Sequence, residues 1–183
     1  LTLILALSSR LIGIQPENPE DFTVKSPTHD TTFTLSEAKG KSVALHFLLK
    51  TECPFCLKHT HDFAALAATT PEVVHVLLKP DSAAEIKAWS EKLGKDGLKE
   101  LPVIYRDPDA ELAKAFGIPN GYQFHGQVVH YPALVLLGLD GKEVFRYVGK
   151  NNSGRMSAAD FTARLAMRHS GFTPVAPSSA PRE

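Results

Sequence analysis

The chain has two cysteines, Cys53 and Cys56, set in Thr51-Glu-Cys-Pro-Phe-Cys-Leu-Lys-His59 directly after the apolar run Ser42-Val-Ala-Leu-His-Phe-Leu-Leu49. Two cysteines cannot build a disulfide framework. A bridge across so short a loop constrains the unfolded chain little. The pair is therefore read as chemistry: a redox-active dithiol, a peroxide-reducing cysteine with a neighbour, half of a zinc site, or a small structural disulfide. Its position also constrains the fold. Val43 to Leu49 is an apolar run of strand length, broken only by His46, as in a central strand buried on both faces. After Pro54, the apolar residues Leu57, Phe63, Leu66 and Ala67 recur at helical spacing until Thr69-Thr70-Pro71 stops them. Cys53 thus stands at a strand-to-helix junction.

A cysteine at a helix start faces unpaired backbone N–H groups and the positive end of the helix dipole, and both favour thiolate over thiol. Cys53 is the expected attacking sulfur. Pro54 suits the first helical position, where its missing N–H is no loss. Cys56, one turn on, is placed to resolve a mixed disulfide. That mechanism requires no metal and no organic cofactor.

The rest of the chain alternates strand and helix signals. Gln15 to Asp30 reads as an extended lead-in and Thr31 to Leu35 as a short strand. Val73 to Leu78 and Leu101 to Tyr105 read as strands, Ser82 to Leu93 and Ala110 to Phe116 as helices. Ala133 to Leu139 and Glu143 to Val148 form a hairpin around Asp140-Gly141, and Ala158 to Met167 a closing helix. The order predicts an α/β fold, a mixed sheet with helices on both faces. At 183 residues and 43% hydrophobic content the chain suits one domain. Residues 1–21 are expected to be a signal-like or extended N-terminal segment, since Leu1 to Leu7 is apolar and ends in Ser8-Ser9; 22–171 the domain; and 172–183 a disordered tail rich in Pro, Ser and Ala. The apolar start points to an extracytoplasmic setting. Twenty basic and twenty acidic residues cancel, so nothing electrostatic recommends nucleic acid as a partner.

The strand-CPFC-helix unit, Tyr131-Pro132 leading into ALVLL, and the hairpin LGLDGKEVFRYVG resemble the thioredoxin fold. LPVIYRDPDAELAKAFGI resembles its redoxin branch, which includes the alkyl hydroperoxide reductase and thiol-specific antioxidant proteins. The resemblance covers roughly Phe22 to Arg168. It implies a thiol-disulfide oxidoreductase acting on protein thiols and disulfides and regenerated by a redox-recycling partner. It also implies a substrate groove at Pro54, Phe55, Tyr131 and Pro132, in which Pro132 is a cis-proline abutting the dithiol and the Tyr131 backbone pairs with an extended substrate. His46 falls near the place of the acidic residue that thioredoxins bury beneath the second cysteine, if one residue is inserted before the motif. It is then a candidate proton acceptor for Cys56, or else a hydrogen-bonded core histidine.

The peroxidase alternative has a frame to satisfy. Peroxiredoxins carry threonine three residues before the reactive cysteine, whereas here Lys50 holds that place and Thr51 stands one residue too close. Thiol-disulfide exchange leads, with thiol peroxidase and a non-catalytic redoxin-fold binding domain as alternatives. Zinc would need Cys53, Cys56, His59 and His61 to converge, yet His59 and His61 point about 200° apart on a helix. No metal site is expected. His59 is a candidate for tuning the dithiol, or a solvent-facing helix residue. Arg146 could support a thiolate or be a solvated charge. Gly121 to Pro132, with His125 and His130, is the candidate substrate-contact segment, or a structural loop.

Overall fold

The computed structural model describes residues 18–50, 53–95, 100–124 and 126–169. The apolar start of the chain, Thr51, Glu52, His125 and the tail over 172–183 lie outside the described residues. The central strand forms as read: β3 (Ser42–Phe47) pairs in parallel with β4 (Val73–Lys79) and antiparallel with β8 (Ala133–Leu137). Next to β4 runs β5 (Ile104–Arg106), and next to β8 runs β9 (Glu143–Val148). The expected hairpin turn is present at Asp140-Gly141, where Gly141 takes φ +78° and donates to Gly138 O at 3.0 Å.

The lead-in contributes one strand that its sequence did not signal, and the short strand expected over Thr31 to Leu35 forms beside it. β1 (Thr23–Lys25) and β2 (Thr32–Thr34) pair with each other and extend the sheet past β5. A three-residue strand with one inward side chain, Val24, carries too short an alternation to read in the lead-in, whereas Phe33 lies in the expected short strand. The sheet is mixed, in the order β2-β1-β5-β4-β3-β8-β9. The strand expected over 101–105 pairs only from Ile104, because Pro102 has no N–H to give a ladder.

Val43, Leu45, Phe47, Val76, Leu78, Val135 and Leu137 make one face of the sheet a core, closed by Phe22, Ala113 and Phe116. α3 (Glu111–Ala115) covers this face, its N-terminal N–H groups held by the Asp107 carboxylate at 2.7 and 3.0 Å. On the opposite face lie α1 (Pro54–Ala67), α2 (Ala83–Lys95) and α4 (Ala158–His169). α2 opens with a reciprocal capping box between Ser82 and Glu85. The architecture is α/β with helices on both faces of a mixed sheet.

The segment Gly121 to Pro132 is not an irregular loop. It folds as a separate two-stranded sheet, β6 (Asn120–Phe124) with β7 (Gln127–His130). Phe124 and Val129 face inward against Leu48, Leu49 and both cysteines. Aromatic and histidine content drew attention to the segment, while its strand alternation is short and interrupted by Gly121 and Gly126, both at positive φ.

Candidate active site

Cys53 is the N-cap of α1. Its backbone is extended at φ −84° and ψ 106°, Pro54 follows inside the first turn, and the Cys56 N–H donates to Cys53 Sγ at 3.2 Å. A sulfur thus takes the position that Ser, Thr or Asp takes at other helix starts. Both thiols are free and buried, Cys53 with 1% of its surface exposed. Beside them Pro54 is exposed, as is Phe55 at 43%.

The long loop between β9 and α4 closes over the sulfurs. Asn152 Oδ1 accepts from Cys53 Sγ at 2.8 Å, and Arg155 Nη2 lies 3.5 Å from Cys53 Sγ and 3.1 Å from Cys56 Sγ. When Cys53 is ionised, the same Asn152 amide can turn to present its N–H2. Tyr122 of β6 holds Asn152 in place by accepting from its backbone N–H at 3.0 Å. Sequence reasoning missed Asn152 and Arg155. A polar loop of Asn, Ser and Gly reads as solvent-exposed, and only the return of the chain over α1 brings it to the motif. Arg146 is instead engaged by Glu143, its Nε donating at 2.6 Å.

These contacts separate the two thiols. The hydrogen bond from Cys56, the Arg155 charge and the Cys56 N–H bring Cys53 down to about 6, against the opposing effect of burial. Burial first, and then the hydrogen bond its own proton makes to Cys53, push Cys56 well above the usual thiol range. Cys53 is the sulfur that ionises near neutral pH, and Cys56 holds its proton. Beneath Cys56 lies Lys79, fully buried, whose Nζ donates to Leu49 O at 2.7 Å and pairs with Asp81 at 3.3 Å. Lys79 was also missed, since a lysine ending an apolar strand reads as the point where the strand leaves the core.

The histidines are arranged differently from the expected acceptor. His46 Nδ1 meets His59 Nε2 at 2.9 Å and His46 Nε2 meets His75 Nδ1 at 3.0 Å, so no His46 ring nitrogen is left for Cys56. His59 is buried rather than solvent-facing, and lines a small cavity with Arg155 and Met156. Burial holds His46 well below its usual value, His59 at about 3 and His75 at about 4. Among the described residues, no group of three His, Cys, Asp or Glu side chains converges on a metal position.

Two expectations at Tyr131-Pro132 are corrected. The described chain contains no cis peptide bond, so Pro132 is trans. The trans form is the intrinsically favoured one for X-Pro. The Tyr131 N–H is bonded to Pro119 O at 2.9 Å and its carbonyl to His130 Nδ1 at 2.8 Å, so this backbone is engaged internally rather than presented to a strand-like substrate. Pro132 itself is buried, its carbonyl accepting from Gly149 N at 2.8 Å. The hairpin does border a cavity of about 280 Å³ lined by Lys50, Pro80, Asn120, Gln127, Val128 and His130, and Lys50 Nζ donates to Gln127 Oε1 at 3.1 Å. A larger cavity of about 650 Å³, lined by Phe22, Val24, Arg106 and Leu112 among others, shares no residue with the dithiol site.

The AhpC/TSA family matches residues 17–144, more than two thirds of the chain, including the whole strand-CPFC-helix unit. The chain belongs to the AhpC/TSA family. No curated protein sequence matches it. Among solved structures it is similar to the bacterioferritin comigratory protein of Xanthomonas campestris, with TM-score 0.63 and 19% identity over 82% of this chain and 92% of that one. It is also similar to a secreted Mycobacterium tuberculosis disulfide oxidoreductase homologous to E. coli DsbE, with TM-score 0.58 and 20% identity over 79% and 94%. A third is the exposed lipoprotein thioredoxin of Streptococcus pneumoniae, with TM-score 0.61 and 22% identity over 80% and 98%. These likenesses establish the thioredoxin-like fold. Membership makes this chain a thioredoxin-like redoxin of the thiol oxidoreductase or peroxidase kind. The family match ends at residue 144, before the loop that brings Asn152 and Arg155 to the sulfurs.

Proposed function

We propose that the chain is a thiol-disulfide oxidoreductase acting on protein substrates through Cys53 and Cys56. The observation that carries this reading is the asymmetry of the pair: the hydrogen bond from Cys56 and then the Arg155 guanidinium, which lies against both sulfurs, bring Cys53 down to about 6, while Cys56 keeps its proton one helical turn behind. The Cys53 thiolate attacks a substrate disulfide, an S–S bond forms between Cys53 and the substrate, and one substrate sulfur leaves as thiolate. Cys56 then gives up its proton and attacks Cys53 Sγ. The Cys53–Cys56 disulfide forms, the second substrate thiolate leaves, and two electrons have passed to the substrate. A dithiol partner returns them by the same steps in reverse.

A second reading, thiol peroxidase, has its own support. Cys53 is 1% exposed beneath Asn152, an enclosure that a peroxide enters more readily than a protein disulfide. Here the Cys53 thiolate attacks the O–O bond, one oxygen leaves as water or alcohol, and the Cys53 sulfenic acid condenses with Cys56 to a disulfide and water.

A Cys56→Ser variant separates the two readings. Offered a disulfide-bonded protein, it accumulates a mixed disulfide at Cys53 under the first; offered peroxide, it accumulates sulfenic acid under the second. Mass spectrometry distinguishes them. Cys53→Ser lowers exchange by on the order of a thousandfold or more, the scale of losing a nucleophile. Wild-type turnover of a disulfide substrate by Cys53→Ser removes the proposal.

A further inference from the structure

Arg155 brings a full charge to the dithiol, yet no carboxylate among the described residues pairs with it, and its Nε is buried there without a hydrogen-bond partner. Its hydrogen bonds go to the two sulfurs. A long side chain in such a setting is aimed by its backbone. On one side the loop is pinned where Gly149 meets Gly154: a Cβ on Gly149 would lie 1.8 Å from Gly154 O. On the other side Met156 is buried with Phe161 and Leu165, and its backbone is hydrogen-bonded to His59.

His59 is the end of a chain with one consistent direction. Its Nε2 is taken by His46, so Nδ1 is the nitrogen that donates to the Met156 carbonyl. In a neutral ring Nε2 must then accept, His46 must donate from Nδ1, and His46 Nε2 must accept from His75 Nδ1–H. The last atom, His75 Nε2, is buried with no partner among the described residues. In this direction it is a bare acceptor, which is tolerated better than a buried N–H without one. Phe63 and Phe161 wall the rings. The charged groups acting on the chain are Arg155 at His46, Arg155 and Asp62 at His59, and Glu72 at His75; Arg155 and Lys79 act on Cys56.

We propose that His75, His46 and His59 form a positioning device for Arg155, in which the fixed tautomer of His59 anchors the Arg155–Met156 backbone so that the guanidinium spans both sulfurs. The histidines touch no substrate, and their effect reaches Cys53 through Arg155. This rests on Cys53 being the reacting thiolate.

The test is a pair of variants whose amide nitrogens mimic different ring positions. Asn places its N–H2 where His Nδ1 lies, whereas Gln reaches only the Nε2 position. Cys53 ionisation is followed by the ultraviolet absorbance of the thiolate during a pH titration, which needs no turnover. His59→Asn should titrate as wild type does, at about 6. His59→Gln and Arg155→Met should both move the midpoint upward by about one pH unit, the scale of a lost hydrogen bond to a charged group. A His59→Gln midpoint equal to wild type, with Arg155→Met shifted, overturns the positioning role and leaves the site reading standing. An unshifted Arg155→Met shows that the guanidinium does not set the Cys53 midpoint and overturns the positioning proposal, while the site reading is decided separately by Cys53→Ser. Should His59→Gln fail to fold, nitrogen NMR of the wild-type protein decides: His59 protonated on Nδ1 supports the proposal, and protonation on Nε2 overturns it.

Discussion

Two polar clusters are buried against the same face of the sheet, on either side of the dithiol. One is Lys79 with Asp81, both side chains fully buried, the ammonium also donating to Leu49 O and lying 4.7 Å from the centre of the Trp89 ring. The other is the row His46, His59 and His75, boxed by Phe63 and Phe161. Charge removed from water is costly unless partners surround it. The lysine is surrounded: carboxylate, carbonyl and indole face it. The histidines take the other course, and because imidazole titrates near neutrality they shed the charge and hydrogen-bond to one another as neutral rings. A buried site can thus hold a cation beneath the Cys56 thiol and exclude cations a few residues away.

The largest effect expected from this difference is acid sensitivity. In the unfolded chain each histidine titrates near 6.5, and in the folded chain His75 is at about 4, His59 at about 3 and His46 well below its usual value. Below 6.5 the unfolded state therefore binds more protons than the folded one. Stability is full above that pH and is lost as pH falls through 4 for His75 and 3 for His59. Each histidine steepens the fall by about 1.4 kcal/mol per pH unit. Urea unfolding at stepped pH checks this, and His75→Leu should remove one such share. A flat stability profile from about pH 7 to about pH 5 breaks the contrast between the clusters.

Lys79→Met is the next largest perturbation. It withdraws the cation facing Asp81, and breaking a buried pair from one side costs about 3–5 kcal/mol. Exchanging both residues, as Lys79→Met with Asp81→Leu, should recover most of that loss in urea unfolding. If the double variant is no more stable than the single one, the pair is not the unit that makes this burial tolerable. Smallest is the aromatic contribution: Trp89→Phe should cost about 1 kcal/mol through weakened cation–π attraction. In the Lys79→Met background that part of the loss should vanish, and an unchanged cost assigns it to packing alone.

The strand-to-helix junction was fully legible in the sequence. An apolar run, two cysteines and a proline at the first helical position are local signals, and the observed N-cap geometry of Cys53 follows from them. The Asp-Gly hairpin was legible for the same reason, since one positive-φ glycine closes it. Thr31 to Leu35 was legible as a short strand, but its partner β1 was not, because a strand of three residues gains its order from neighbours in the sheet. His46 was noticed as an interruption of an apolar run, but its partners lie 13 and 29 residues away and no spacing rule connects them. The expectations for Pro132 and the Tyr131 backbone came from resemblance. They gave way to local hydrogen bonds with Pro119, His130 and Gly149.

From its own order of residues, the chain determined where a thiolate would form: at a helix start, with a second thiol one turn behind, on a buried strand. Which charge faces that thiolate, which groups hold that charge in place, and which histidines remain neutral were decided by tertiary structure. Asn152 and Arg155 lie some hundred residues from Cys53 in sequence and hydrogen-bond distance from it in space. Helix capping acts within one turn and leaves a mark in sequence, whereas electrostatic contact depends on distance in the folded chain and leaves none.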